Sequence, residues 1–300
     1  MFRVVLVVLV VFLIRSGWSQ SSFFTASDSL NKNRAIAVTS FIGSSWTIST
    51  VCLYQVWYAD YPKSKFHTFN DFHNWLQMDK AGHFYTANKL SGVTSSFFQW
   101  SGVSRRKSVL IGSGIGLGLQ TTLEIMDGTS SEWGFSWSDM AFNTAGALSY
   151  TSQELLWEEQ RFVFKFSYHP TEFAAIRPSV LGSTFAESFF KDYNGQTYWL
   201  SFSPASFMQS SKLLEWLCLS LGYSVNQKLV GDQEVYINPV TNSTYHSQRE
   251  LVFSLDIDFS KLQIKRQWLK TVVKQLNYVK IPFPALILSN GSLKACGIYF

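Results

Sequence analysis

Residues 249–259, RELVFSLDIDF, alternate apolar and polar side chains with a period of two. Apolar residues occupy every odd position from 251 to 259, and Ser254, Asp256 and Asp258 lie between them. Only Val252 breaks the polar set. A period of two places successive side chains on opposite faces of an extended chain. The stretch therefore predicts a β-strand with one apolar face and one polar face.

The surrounding sequence predicts an antiparallel β-rich region over residues 196–300. Residues 216–225, 283–289 and 293–300 are further predicted strands, and Asn290-Gly291 is a typical two-residue hairpin turn. Residues 263–276 are compatible with a short helix. Residues 191–201 either form a turn that enters a strand or line a sugar or lipid-headgroup site. Four or five strands are fewer than the roughly eight of an outer-membrane barrel, so we expect a sheet on or partly in a membrane.

The composition favours a membrane or its surface. Hydrophobic residues make up 46% of the chain, aromatic residues 17% and charged residues only 15%, against about 25% charged residues in an average soluble protein. The net charge of +5 is mild, and the longest basic run is residues 105–107. Nucleic-acid binding would require a concentrated basic stripe, so that class is excluded.

The first nineteen residues predict a secretory signal. Arg3 precedes an apolar run over residues 4–14, and Gly17 and Ser19 are small residues at the positions of a cleavage site. Cleavage would make Gln20 the first mature residue, with residues 20–34 as a linker. An uncleaved anchor is the alternative. Because no cysteine follows the cleavage point, we expect no lipid attachment there.

A helical membrane-associated bundle is predicted over residues 35–160, and residues 161–195 are expected to connect it to the strands. Residues 35–58 are twenty-four residues without a charge, seven of them Ser or Thr. They are compatible with a membrane span and with a buried helix of a membrane-attached bundle. Residues 108–123 carry glycines at 112, 114, 116 and 118, which permit close helix contact. Residues 140–152 predict a core helix. The fold class is therefore α+β.

Residues suited to chemistry are concentrated in the helical region. Asp79 and His83 are four residues apart and share one face of a predicted helix, with Lys80 beside them. A carboxylate one turn from an imidazole can orient its tautomer or raise its pKa, which suits a general base or a metal ligand. An ordinary surface contact is the alternative interpretation.

Glu124 and Asp127 form a second candidate group, at the end of the glycine-rich helix. Gly128 is predicted as the C-cap of that helix. Two carboxylates at the negative end of a helix dipole require a compensating cation. A bound metal ion, Lys80 or protonated His83 could supply it, and solvent screening is the alternative.

A third candidate group lies in residues 136–146. Asp139, Asn143 and Gly146 fall on one stripe of a predicted helix, and Ser138 belongs to the same polar set. Ser136 and Asp139 also have the spacing of a capping box, in which the carboxylate only satisfies free backbone amides. Asn143 would need a partner if it is buried, because an unsatisfied amide costs about 1–3 kcal/mol.

Three motifs in this order resemble those of the YfiM-like family of predicted periplasmic or lipoprotein-like proteins and, more distantly, the VanZ-like membrane proteins. They are Asp79-Lys80-x-x-His83-Phe84, Glu124, and Ser136-x-Ser138-Asp139-x-x-x-Asn143-x-x-Gly146. The resemblance covers about residues 70–155. It implies a bacterial envelope protein whose helices bring these polar residues together, but it lends no reaction or substrate. Gln20, in place of a lipid-attachment cysteine, and the β-rich region depart from the pattern.

Two hypotheses of different class follow. The first is a non-catalytic envelope protein in which the Asp, His, Glu and Asn side chains form a buried hydrogen-bonded framework, and the sequence favours it. The second is an enzyme or binder that acts on an envelope lipid or glycan headgroup. The candidate catalytic residues of this hypothesis are Asp79, His83, Glu124 and Asp139. The surrounding polar network would consist of Lys80, Asp127, Ser138 and Asn143.

The expected partners and location follow from the same observations. We expect an exported protein of the periplasm or outer membrane of a Gram-negative bacterium, with membrane lipid and other envelope proteins as candidate partners. A divalent cation is the one candidate cofactor. The glycine-rich stretch does not fit a dinucleotide fingerprint, and the chain contains no P-loop motif, so no nucleotide is expected.

Overall fold

The computed structural model describes residues 23–59, 61–208 and 214–300. The predicted signal over residues 1–19 and the start of the linker lie outside the described residues. In the described part of the chain, long helices come first and antiparallel strands follow, which confirms the α+β prediction. The long helices are α1 (Lys32–Leu53), α2 (Met78–Trp100), α3 (Arg105–Gly128) and α4 (Trp137–Leu156).

Helix α1 lies on the outside of the bundle. Asn31 caps its first turn by accepting a hydrogen bond from the backbone N–H of Arg34, 3.1 Å away, and only Val38 within the helix is buried. The alternative of a buried helix is therefore wrong. By length and composition, α1 and α3 could each cross a membrane. Helix α3, in contrast, packs against both α2 and α4, which also contact each other.

Glycines set the close approach of α2, α3 and α4. A Cβ atom at Gly112 would lie 2.6 Å from the carbonyl oxygen of Ser91, and one at Gly116 would lie 2.8 Å from the Ser91 amide. The predicted contact through this pair is confirmed, whereas Gly114 faces open space. On α4, Gly146 lies directly against the backbone of Phe84, so a side chain there would clash. The close contact brings the polar faces of α2 and α4 together.

Most of the strands belong to one antiparallel sheet with the order β1-β2-β3-β6-β7-β8. The strands are β1 (Phe162–Tyr168), β2 (Gln196–Phe202), β3 (Leu217–Asn226), β4 (Val235–Ile237), β5 (Thr244–His246), β6 (Gln248–Ile257), β7 (Phe283–Ser289) and β8 (Ser292–Tyr299). Strands β4 and β5 form a separate pair. The short helices are α5 (Phe173–Ile176), α6 (Pro178–Leu181), α7 (Phe185–Lys191) and α8 (Gln267–Lys274).

The predicted strands near residues 216–225, 249–259, 283–289 and 293–300 are confirmed, and so is the hairpin turn. Asn290 and Gly291 both adopt positive φ angles, 46° and 74°, as this turn type requires. Strand β1 lies within the segment that was expected to connect the two regions. The division into domains stays a prediction.

The buried face of the sheet carries paired polar side chains beside an apolar cluster of Trp199, Val252, Ala285 and Tyr299. Lys165 and Asp256 are fully buried and form an ion pair of 2.8 Å. Ser201 donates a hydrogen bond of 2.8 Å to Asp256. The apolar residues of the predicted alternating strand, Leu251, Phe253 and Leu255, are instead exposed. Helix α2 covers only one part of the apolar face, where Phe84 contacts Phe164.

Candidate functional site

The site begins at an unusual turn before α2. Trp75, Leu76 and Gln77 have φ angles of 51°, 52° and 64°, a left-handed conformation that is costly for residues other than glycine. The turn is held by the sheet region, because the Trp75 amide donates to the carbonyl of Gly231 and the Tyr223 hydroxyl donates to that of Leu76. This anchoring fixes the first turn of α2, which carries Asp79 and Lys80.

Lys80 is the central cation of the site and is fully buried. Its Nζ lies 2.8 Å from Asp71, 3.1 Å from Asp79 and 2.7 Å from Asp139. Burial opposes the charge of Lys80, but these carboxylates raise its pKa above the ordinary value. Lys80 thus joins the stretch before α2 and the first turn of α2 to the first turn of α4.

Asp71 is a site residue that the sequence motifs missed. Ser136 and Ser138 donate hydrogen bonds of 2.6 and 3.0 Å to its Oδ1 atom. Burial raises the pKa of Asp71, but the hydrogen bonds from Lys80 and Ser136 lower it more, to about 2. Asp71 lies in a stretch without regular structure, so no periodic pattern marked it.

His83 lies between an amide and two carboxylates. Its Nδ1 is 3.1 Å from Asn143 Oδ1, which also accepts a hydrogen bond of 2.9 Å from Gln120. In neutral His83 the hydrogen therefore belongs on Nδ1, as the hydrogen-bond network assigns it. The lone pair of Nε2 then faces Asp79 Oδ1 at 3.6 Å and Asp139 Oδ1 at 3.7 Å. Gln120 also belongs to the site, although no sequence pattern singled it out.

The carboxylates around His83 change its protonation. Burial lowers the pKa of His83, but Asp79, Asp139 and Glu124 together raise it to about 8. Glu124 is buried, and its Oε2 accepts a hydrogen bond of 3.3 Å from the Ser136 amide. Its Oε1 lies 3.4 Å from His83 Nδ1 and receives no hydrogen bond from the described residues. Burial raises the pKa of Glu124 to about 8.

Asp127 has a neutral partner and not the predicted cation. The Tyr58 hydroxyl, just beyond α1, donates a hydrogen bond of 2.6 Å to Asp127. Burial raises the pKa of Asp127 to about 7. The prediction of Gly128 as a C-cap is wrong, because α3 ends at Gly128 and Thr129 caps it. Gly128 lies close to the ring of Phe66, where a side chain would not fit.

Half of the predicted capping box is present. Ser136 caps α4 by accepting a hydrogen bond of 3.1 Å from the Asp139 amide. The Asp139 carboxylate, however, binds Lys80, and the Ser136 amide donates to Glu124. Asp139 is thus part of the buried cluster.

The acidic, lysine and histidine side chains of this cluster lie within one segment that is similar to a known family. Residues 68–153 match the family described as predicted periplasmic lipoprotein (DUF2279). The match supports an exported, periplasmic and membrane-associated envelope protein. No curated protein and no solved structure matches the chain. The YfiM-like and VanZ-like resemblances stay predictions. The expectation that no lipid is attached at Gln20 also stays a prediction.

The predicted residues therefore converge, and together they form an acidic recess. Ligand atoms of Asp79, His83 and Asp139 all lie within 4.8 Å of one another. An imidazole with two carboxylates is a donor set that suits Zn²⁺ or Mn²⁺. Tyr193, which no motif marked as a site residue, donates a hydrogen bond of 3.1 Å to Asp79. Asp79 and His83 are partly exposed, so the recess is open to small solutes.

Proposed function

We propose that this envelope protein binds a divalent cation through His83 Nε2, Asp79 and Asp139. The observation that carries the proposal is the orientation of His83. Its Nδ1 is committed to Asn143, and its Nε2 faces two carboxylate oxygens at 3.6 and 3.7 Å. In neutral His83 the Nε2 lone pair would face two anions, which is unfavourable unless a proton or a metal cation lies between them. Metal-ligating histidines are typically oriented through their other nitrogen in this way.

The charges of the recess support a cation. Five carboxyl groups, those of Asp71, Asp79, Glu124, Asp127 and Asp139, lie around Lys80 and His83, so the acidic groups of the cluster outnumber its cationic groups. The buried Glu124 Oε1 also lacks a hydrogen bond from the described residues. A buried polar atom without a partner costs about 1–3 kcal/mol. A divalent ion would offset both the charge and part of this cost.

A bound ion would also give the recess a chemical use. An ion held by three protein ligands keeps open positions for water or a substrate oxygen. The phosphate or hydroxyl groups of an envelope lipid or glycan headgroup would be suitable ligands. Glu124, adjacent to His83, would then be placed to accept or donate a proton.

The second candidate function is a structural framework, and the contacts of Lys80 favour it. Lys80 itself bridges Asp71, Asp79 and Asp139 through its ammonium group. With His83 protonated, Nε2–H would be directed towards the two carboxylates, and the cluster would only fix the registry of α2 and α4.

Metal titration of the purified full chain separates the two functions. We would measure Zn²⁺ and Mn²⁺ binding by calorimetry for the parent protein, Asp79→Asn and His83→Gln, with exposed His246→Gln as the matched control. The proposal predicts that the parent and the control bind equally and that each site variant loses about 10- to 100-fold in affinity. Circular dichroism would check that every variant is folded.

No binding by the folded parent would reject the cation site. A loss of stability in His83→Gln without any metal binding by the parent would support the framework instead.

A further inference from the structure

The sheet has an apolar face that no described residue covers along strands β3, β6, β7 and β8. Each residue of the two cross-strand rows on this face is between 37% and 64% exposed. The rows are Leu221, Phe253 and Leu286, and Leu251, Leu288 and Leu293. Contiguous apolar surface of this kind is uncommon on soluble proteins and marks a contact with a protein or a membrane.

The opposite face of the same strands is buried, and it holds polar side chains beside an apolar cluster of Val252, Ala285 and Tyr299. It carries the Lys165–Asp256 ion pair, and Ser201 and Ser220 form a hydrogen bond of 2.6 Å there. A half-buried sheet in a water-soluble protein generally presents polar residues to water on its outer face. Here the outer face is apolar and the inner face holds a buried ion pair, as in strands that face lipid.

The chain between β6 and β7 indicates which kind of surface lies against this face. Residues 263–276 contain four exposed Lys or Arg residues and no Asp or Glu. They include α8, where Trp268, Val272 and Leu276 are exposed at helical spacing. A basic amphipathic helix with an exposed Trp favours the interface of an anionic membrane.

The position of α8 fits this role. Strand β6 ends at Ile257 and β7 begins at Phe283, so the basic segment lies at the end of two neighbouring strands of the apolar face. A second copy of the chain is a poorer occupant, because two basic segments would repel each other and the whole chain carries a charge of +5.

We infer that the outer face of β3, β6, β7 and β8 lies against the acyl chains of a membrane that contains anionic lipid, with α8 at the level of the headgroups. This membrane contact is made by the sheet and not by α1. It does not depend on the proposed cation site.

Fluorescence quenching in vesicles tests the contact. We would label Phe253→Cys and Leu286→Cys with bimane in a full-length Cys52→Ser, Cys296→Ser background, in which Cys218 is buried. Val240→Cys, at a position that is 88% exposed, is the matched control. The proteins would be reconstituted into vesicles of phosphatidylethanolamine and phosphatidylglycerol, and circular dichroism would verify their folding. Quenchers would be a nitroxide on the lipid acyl chain and aqueous iodide.

The inference predicts that the nitroxide quenches positions 253 and 286 several-fold more strongly than position 240, and that iodide shows the opposite order. Strong iodide quenching at all three positions would overturn it, because the face would then be in water. Protection from both quenchers, together with crosslinking between copies, would also overturn it and would assign the face to a protein interface.

Discussion

Replacement of Lys80 by Met removes the one buried cation that joins Asp71, Asp79 and Asp139. Methionine has a similar length, so the change removes mainly the charge and its hydrogen bonds. All three carboxylates then lose a contact of 2.7–3.1 Å with the ammonium group. Their mutual repulsion in a partly buried cluster is expected to separate the polar faces of α2 and α4.

The expected loss of stability is large because Lys80 is fully buried. Removal of one partner from a buried ion pair costs about 3–5 kcal/mol, since the remaining charge is left uncompensated. That loss lowers the ratio of folded to unfolded protein by roughly two to four orders of magnitude. If the recess binds a divalent ion, added Zn²⁺ should restore part of the loss by replacing the missing positive charge.

Chemical unfolding in detergent, followed by circular dichroism, measures this effect. The matched control is Lys107→Met, at an exposed position of α3, where we expect a change within about 0.5 kcal/mol. Addition of Asp71→Asn to Lys80→Met should recover part of the stability, because one uncompensated carboxylate is removed. A loss below about 1 kcal/mol for Lys80→Met would refute the assignment of Lys80 as the charge that holds the cluster together.

Three further substitutions test the packing and the electrostatics elsewhere. Gly146→Ala should lower the melting temperature, because its Cβ would clash with the backbone of Phe84 and overpacking costs about 1–3 kcal/mol or more. Gly114→Ala, which faces open space, should be neutral or stabilising, and equal effects of the two changes would contradict the packing. Burial lowers the pKa of Lys280 from 10.5 to about 8, so the folded protein becomes more stable as the pH rises from about 8 to 10.5. Lys280→Met should therefore add about 1–2 kcal/mol near pH 7, with a gain that vanishes near pH 10.5, and a gain that is independent of pH would contradict this assignment.

Much of the fold followed from local patterns. The period of two over residues 249–259 predicted β6, and Asn290-Gly291 predicted the turn between β7 and β8. Strand β1 was missed although its sequence, FVFKFSY, has the same alternation. The orientation of the sheet could not be predicted from alternation alone, because the period does not say which face is buried.

The candidate site likewise combines residues that local spacing predicted with residues that local spacing could not predict. Asp79 and His83 share a helical face, and Ser136 has the spacing of an N-cap, so both signals are local. Asp71 and Tyr193 reach the site only through tertiary contacts, and no spacing in the sequence connects them with Asp79. The partner of Asp127 was missed for the same reason. Of the two carboxylates expected to need a cation, Glu124 lies 3.4 Å from His83 Nδ1, whereas Asp127 accepts a hydrogen bond from Tyr58.

Anomalous diffraction from crystals grown with Zn²⁺ tests the central claim most directly. The account predicts a peak about 2.0–2.2 Å from His83 Nε2 and from one oxygen of each of Asp79 and Asp139. Absence of a peak in this recess at saturating Zn²⁺, with Nε2 within hydrogen-bonding distance of the carboxylates, would contradict the account and leave the cluster as a structural framework.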